Sequence, residues 1–172
     1  MRPIRAACLG TATALVTLLA CASGADAATH TDAVHAKGGH HVITLIGHLV
    51  QQSRFPVSTR GPAQGDRTVF RSLLFDRNDK IQVGETDGTC TTTTVENGGA
   101  EECVVTYTLQ GGQLSAQGMV FGILTDGKPT IPPPSFDNAI TGGTGEFREA
   151  RGQVHADTIG TGKRRFTIDL HH

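Results

Sequence analysis

From His40 onward the apolar residues fall at every second position, in short runs broken by Gly, Asp, Asn and Pro, with no helical spacing anywhere in that stretch. A period of two sends successive side chains to opposite faces of a strand, so this chain is committed to β-structure. The runs are Val42 to Val50, Thr68 to Phe75, Lys80 to Gly84, Thr89 to Val95, Glu102 to Leu109, Gln113 to Leu124, Gln153 to Ile159 and Arg165 to Leu170. Asp76-Arg77-Asn78-Asp79, Asn97-Gly98-Gly99 and Gly111-Gly112 carry turn chemistry and mark hairpins. Eight short strands linked mainly by hairpins, in a chain with 22 glycines, predict an all-β fold. The expected architecture is an eight-stranded antiparallel barrel, since closure removes the edges of an open sheet; a two-sheet sandwich is the second choice.

The segment ahead of the strands reads differently. Arg2 and Arg5, an apolar run from Leu9 to Ala22, and the small-x-small site Ala25-Asp26-Ala27 describe a signal peptide over residues 1–27. That run is too short for a permanent anchor, and no later segment reaches the ~20 apolar residues of a membrane span. Residues 28–39, poor in apolar side chains, are expected to be flexible, leaving one barrel domain over 40–172. The destination expected is secretion. Leu18-Leu19-Ala20-Cys21 loosely resembles a lipoprotein cleavage site, so anchoring through a lipid on Cys21 is the alternative. Loss of Arg2, Arg5 and Asp26 moves the formal charge from −1 to −2, a balance that offers nothing to nucleic acid.

Export also bears on the cysteines. Cys90 and Cys103 are the two that remain after processing and are expected to form a disulfide in an oxidising compartment. A two-residue turn at Asn97-Gly98 would set Cys103 opposite Thr92 and leave Cys90 diagonal, about 7–8 Å away and beyond disulfide reach. A four-residue loop from Val95 to Gly98 puts the cysteines directly opposite, and is the loop expected.

The densest glycine stretch is Ala139-Ile140-Thr141-Gly142-Gly143-Thr144-Gly145-Glu146-Phe147-Arg148-Glu149-Ala150-Arg151-Gly152. A tight barrel corner accounts for it, and the strand-loop-helix context of a phosphate loop is missing. The stretch resembles the Gly-Gly-Thr-Gly signature of the allene oxide cyclase and dirigent protein superfamily. Gly65-Asp66-Arg67-Thr68-Val69-Phe70, Gly84-Glu85-Thr86-Asp87-Gly88-Thr89-Cys90 and Gln113-Leu114-Ser115-Ala116-Gln117-Gly118 resemble further family segments, in the right order. The resemblance implies an eight-stranded barrel, a lumen that holds a small hydrophobic molecule, and a homotrimer. It also implies steering of a reactive substrate by confinement, which in the plant cyclases involves a carboxylate on the first strand.

The first strand here, Val42 to Val50, has no Glu, Asp or Asn; aligned on Pro56, Gly47 falls where that carboxylate would be. Val69 stands where the plant cyclases carry proline. Plant-type allene oxide cyclase activity is therefore not expected. The polar handles singled out as catalytic candidates are His48, the ionisable residue of the first strand; Arg71, able to bind a carboxylate or phenolate if its face lines the lumen; and Tyr107, the sole Tyr. Each has a plainer reading as an exterior or packing residue. Glu85 and Asp87 share a strand face near a turn, where solvation explains them. His30, His35, His40 and His41 sit in a setting read as flexible and suit adventitious metal binding, so no metal site and no cofactor is expected. Pro129 to Pro134 should form a stiff loop at the barrel rim. The function expected first is storage or carriage of a small hydrophobic ligand without turnover; the alternatives are cyclase-, isomerase- or dirigent-like steering of a reactive metabolite, and a structural role at the cell surface.

Overall fold

A computed structural model describes residues 40–171, and the expected signal peptide, Cys21 and the segment 28–39 lie outside the described residues. The strands are β1 (His40–Phe55), β2 (Arg67–Phe75), β3 (Gln82–Thr94), β4 (Ala100–Leu109), β5 (Gly112–Phe121), β6 (Leu124–Thr125), β7 (Lys128–Pro129), β8 (Phe136–Gly143), β9 (Arg151–Gly160) and β10 (Lys163–His171). A single 3-10 turn, η1 (Gly145–Phe147), joins β8 to β9. Eight of the strands close in the order β1-β10-β9-β8-β5-β4-β3-β2, every pair antiparallel, while β6 and β7 form a separate two-stranded ribbon. The expected barrel is therefore present. Among the described residues no helix is long and apolar enough to cross a membrane.

The strand count is as expected, but two of its members are not. Lys80 to Gly84 and Thr89 to Val95 belong to one strand, β3, because Glu85 to Gly88 keep their pairing to β2 and β4: Asp87 lies opposite both Arg71 and Thr106. The strand that replaces the lost one is β8, which starts ahead of the stretch read as a corner and runs into it as far as Gly143. Its Asp137, Asn138 and glycines look like turn residues, yet Phe136, Asn138 and Ile140 face the interior and pair with Ala156, Val154 and Gly152.

The glycine signature closes one end of the barrel. Thr144 N donates to the Gln113 carbonyl at 2.8 Å and Glu146 N to the Gly111 carbonyl at 2.9 Å, so η1 lies directly on the β4–β5 turn. Gly145 has a φ of +60°, and a Cβ there would overlap the Gly111 carbonyl. Only glycine lets these two backbones touch. Asp66, from the Gly-Asp segment, is the matching tie at the other end. Its carboxylate is buried and accepts Val57 N at 2.8 Å, Ala63 N at 3.1 Å and the Arg54 guanidinium at 3.1 Å, which fixes the long β1–β2 connection.

Cys90 and Cys103 are direct cross-strand partners and form a disulfide, with Cα atoms 4.0 Å apart. The loop differs by one residue from the expected Val95 to Gly98. A bulge between Thr92 and Thr94 shifts the register beyond the disulfide, so the strands re-pair at Thr94 and Ala100 and the loop runs through Gly99.

Candidate functional site

The interior has a filled half and an open half. Near the glycine-sealed end, Leu74, Tyr107, Leu114, Val154 and Ile168 are fully buried and pack together. Toward the opposite end a cavity of about 280 Å³ opens, walled by Phe70, Val105, Val120, Phe166 and both cysteines of the disulfide. Its mouth is shaped by Pro129, Pro133 and Pro134, so the proline-rich segment sits at the rim as expected. The walls are largely apolar.

Strand alternation decides what enters this space. On β1, Leu45, Gly47 and Leu49 face inward; a bulge between Leu49 and Gln51 then switches the parity, so that Gln52 and Arg54 point into the mouth. On β4, Glu101, Cys103, Val105 and Tyr107 line the same wall. On β10, Arg164 and Phe166 do so.

Among these residues the ionisable set is Arg54, Glu101, Tyr107, Lys163 and Arg164. Glu101 carries the most useful shift: burial raises its pKa, and the positive charges of Arg54 and Arg164 act against that rise. A carboxyl raised by burial in an apolar wall holds its proton more readily than a solvated one, which makes it a candidate for proton transfer. Arg164 is half-buried, and this desolvation lowers its pKa, while Tyr107, Glu101 and Asp157 oppose the fall. Its guanidinium lies 4.9 Å from the Phe136 ring centroid and donates to the Pro134 carbonyl at 3.3 Å. No carboxylate pairs with it among the described residues, so its remaining donors are open to an acceptor in the cavity. Tyr107 stacks edge-on against Phe166, with centroids 5.4 Å apart, and its buried hydroxyl has no hydrogen-bond partner. Burial raises its pKa well above the ordinary value, so it is a neutral donor.

Of the three residues singled out from sequence, Tyr107 alone reaches the lumen. His48 lies between Gly47 and Leu49 and therefore points outward, its ring 4.6 Å from that of Phe75 and its Nε2 2.5 Å from Asp79 Oδ1. Asp79 also accepts from Lys163 Nζ at 2.9 Å, and the two contacts hold its carboxyl below the usual range. Arg71 is on the outer face too, because Thr68, Phe70 and Ser72 are the inward residues of β2. It pairs there with Glu85 and lies 4.0 Å from Asp87, so the two acids that share a face are held by a cation. Sequence reasoning missed Glu101 and Arg164, each of which sits one residue before the run drawn for its strand. The signal was present: Glu101 has the parity of Cys103 and Tyr107, and Arg164 that of Phe166, Ile168 and Leu170.

Gly47 does face the lumen, as the alignment on Pro56 requires, but the position is occupied from the neighbouring strand β10, where Phe166 is paired with Leu45. A Cβ on Gly47 would lie 2.5 Å from Phe166 Cε2. The ring fills the space in which a first-strand side chain would stand.

The site is thus a closed antiparallel barrel with an apolar, one-ended lumen reached by a few partly buried ionisable groups. Residues 48–170 match the model of the allene oxide cyclase barrel-like domain, and the chain belongs to that family. A search of the curated proteins found no significant match. Among solved structures, the chain is similar to a pyocyanin demethylase, with 25% identity and a TM-score of 0.63 over 76% of this chain and 99% of the other. It is also similar to AbnU, an exo-specific intermolecular Diels-Alderase (16% identity, TM-score 0.62, 79% and 99% covered), and to the pterocarpan synthase dirigent protein GePTS1 (21%, 0.56, 79% and 88%). The last two likenesses are of fold.

Proposed function

We propose that the barrel takes a small, largely apolar molecule into its lumen and steers a rearrangement of it. Arg164 holds a polar or anionic group at the mouth, Tyr107 donates a hydrogen bond at the floor, and Glu101 moves a proton. The observation that carries this reading is a cavity of about 280 Å³ with apolar walls, into which a carboxyl of raised pKa and an unpaired guanidinium both project. The volume is near the small end of ligand pockets and suits a compact ring system. Confinement among Phe70, Val105 and Phe166 restricts the conformers of the guest, and the proline rim limits water.

The expected storage role without turnover is the second reading, favoured by Gly47 and the Phe166 ring, which leave the first strand without a carboxylate at that position. The two are told apart by mass spectrometry of small molecules retained by the native protein, followed by incubation with the retained compound. Pyocyanin is the first probe to add, because one similar structure is a pyocyanin demethylase. Under the steering reading Glu101→Gln keeps binding and loses roughly 10²–10⁴-fold in turnover, while Arg164→Gln weakens binding. Recovery of the compound unchanged by both wild type and Glu101→Gln selects storage, and failure to retain or take up any apolar probe overturns both. The reading also includes export by the expected signal peptide, free or anchored through Cys21, and assembly as a homotrimer. Processing is checked by N-terminal sequencing of the mature protein, assembly by light scattering.

A further inference from the structure

At the sealed end of the barrel, far from the mouth, the first and last strands bring together three groups of metal-ligand type. His40 opens β1 and His171 ends β10, and the two are direct cross-strand partners with ring centroids 5.1 Å apart. Asp169, two residues before His171 on the same outward face, lies diagonal to His40. His40 Nε2 is 2.7 Å from Asp169 Oδ1, His171 Nε2 is 3.7 Å from the same oxygen, and all three ligand atoms lie within 4.8 Å of one another.

Hydrogen bonding does not explain this convergence. Asp169 Oδ1 is buried and has no hydrogen-bond partner, so the 2.7 Å approach of His40 does not direct an N–H at it. Both contacts are ion pairs only while a ring is protonated; with neutral rings, two imidazole nitrogens and a carboxylate oxygen that converge without a hydrogen bond are arranged as ligands are around a cation. On a tetrahedron with bonds of about 2.0–2.1 Å, ligand atoms stand roughly 3.3–3.5 Å apart, and the separations here bracket that value. The rings of His40 and His171 are both more than half exposed, which gives an ion a path from solvent. The neighbouring cation, Arg151 of β9, turns its guanidinium to the Ala150 carbonyl at 2.9 Å.

We propose that His40, Asp169 and His171 bind a borderline divalent cation of the zinc class, with solvent in the fourth position. The site spans the β1–β10 seam, where the chain's first and last barrel strands meet. An ion there joins residues at opposite ends of the domain, and such a long closure is where a clip restrains the unfolded chain most. His40 was expected in a flexible, adventitious setting; its place in β1, opposite His171, is what makes the site.

The test is zinc titration of the full chain, purified without a polyhistidine tag, by calorimetry and thermal melting. Expected are one equivalent bound in the micromolar range or tighter, a rise in Tm of several degrees at ~100-fold excess over Kd, and tetrahedral cobalt absorption when Co²⁺ replaces zinc. His40→Gln with His171→Gln should weaken binding at least about 10-fold and abolish both signals, whereas His30→Gln with His35→Gln should leave them intact. His40 and His171 are outside the packed core, so a folded barrel is expected in that variant, and circular dichroism checks both variants. Unchanged zinc binding in the His40/His171 variant, binding lost with His30 and His35, or no binding below millimolar zinc overturns the site.

Discussion

Asp66 shows how one buried carboxylate governs a loop and its response to acid. The hydrogen bond from Val57 is the largest influence lowering its pKa, with Ala63 and Arg54 adding to it and burial opposing them. A carboxyl whose folded pKa is depressed contributes stability that is present above its unfolded value, near 4, and is lost as pH falls through the folded value. Asp66→Asn should therefore cost about 1–3 kcal/mol at pH 7. The gap to wild type should narrow below about pH 4, which urea midpoints measured at pH 7 and pH 3 will report. The sequence marked Asp66 through its Gly-Asp segment. It did not mark Glu101 or Arg164, because alternation within a strand identifies two faces without saying which one turns inward; His48 and Arg71 lie on the other face for that reason.

The elements depend on contacts with few substitutes. Where η1 rests on the β4–β5 turn, Gly145→Ala must adopt a positive φ and displace the Gly111 carbonyl, so a loss of more than about 1–2 kcal/mol is expected from backbone strain alone. Chemical denaturation of Gly145→Ala beside Gly160→Ala, where φ is not left-handed and an added Cβ has room, is the comparison that isolates this effect. Strands with clean alternation and clear turns, such as β4 and the start of β5 around Gly111-Gly112, were legible within a residue or two, while the far end of β5 was drawn three residues too long. β8 was not, since Asp137, Asn138 and Gly142 read locally as turn residues and become a strand only because β5 and β9 flank it on both sides.

At the scale of the molecule the disulfide ties the hairpin that forms one wall of the lumen. Cys90→Ala with Cys103→Ala should lower stability by about 3 kcal/mol on the chain-entropy view, read as a shift in denaturant midpoint that reductant reproduces in the wild type. Because both cysteines line the cavity, the same variant should also change the affinity for an apolar probe. The sequence by itself determined the β-class, the hairpin order, the disulfide and the family signature, since each follows from periodicity, turn chemistry or residues close along the chain. The tertiary structure decided which face of every strand is the lumen, how Phe166 takes the space beside Gly47, and how His40 comes to lie opposite His171. Those outcomes come from closing the sheet and from bulges that shift parity, and both depend on pairings between residues far apart in sequence.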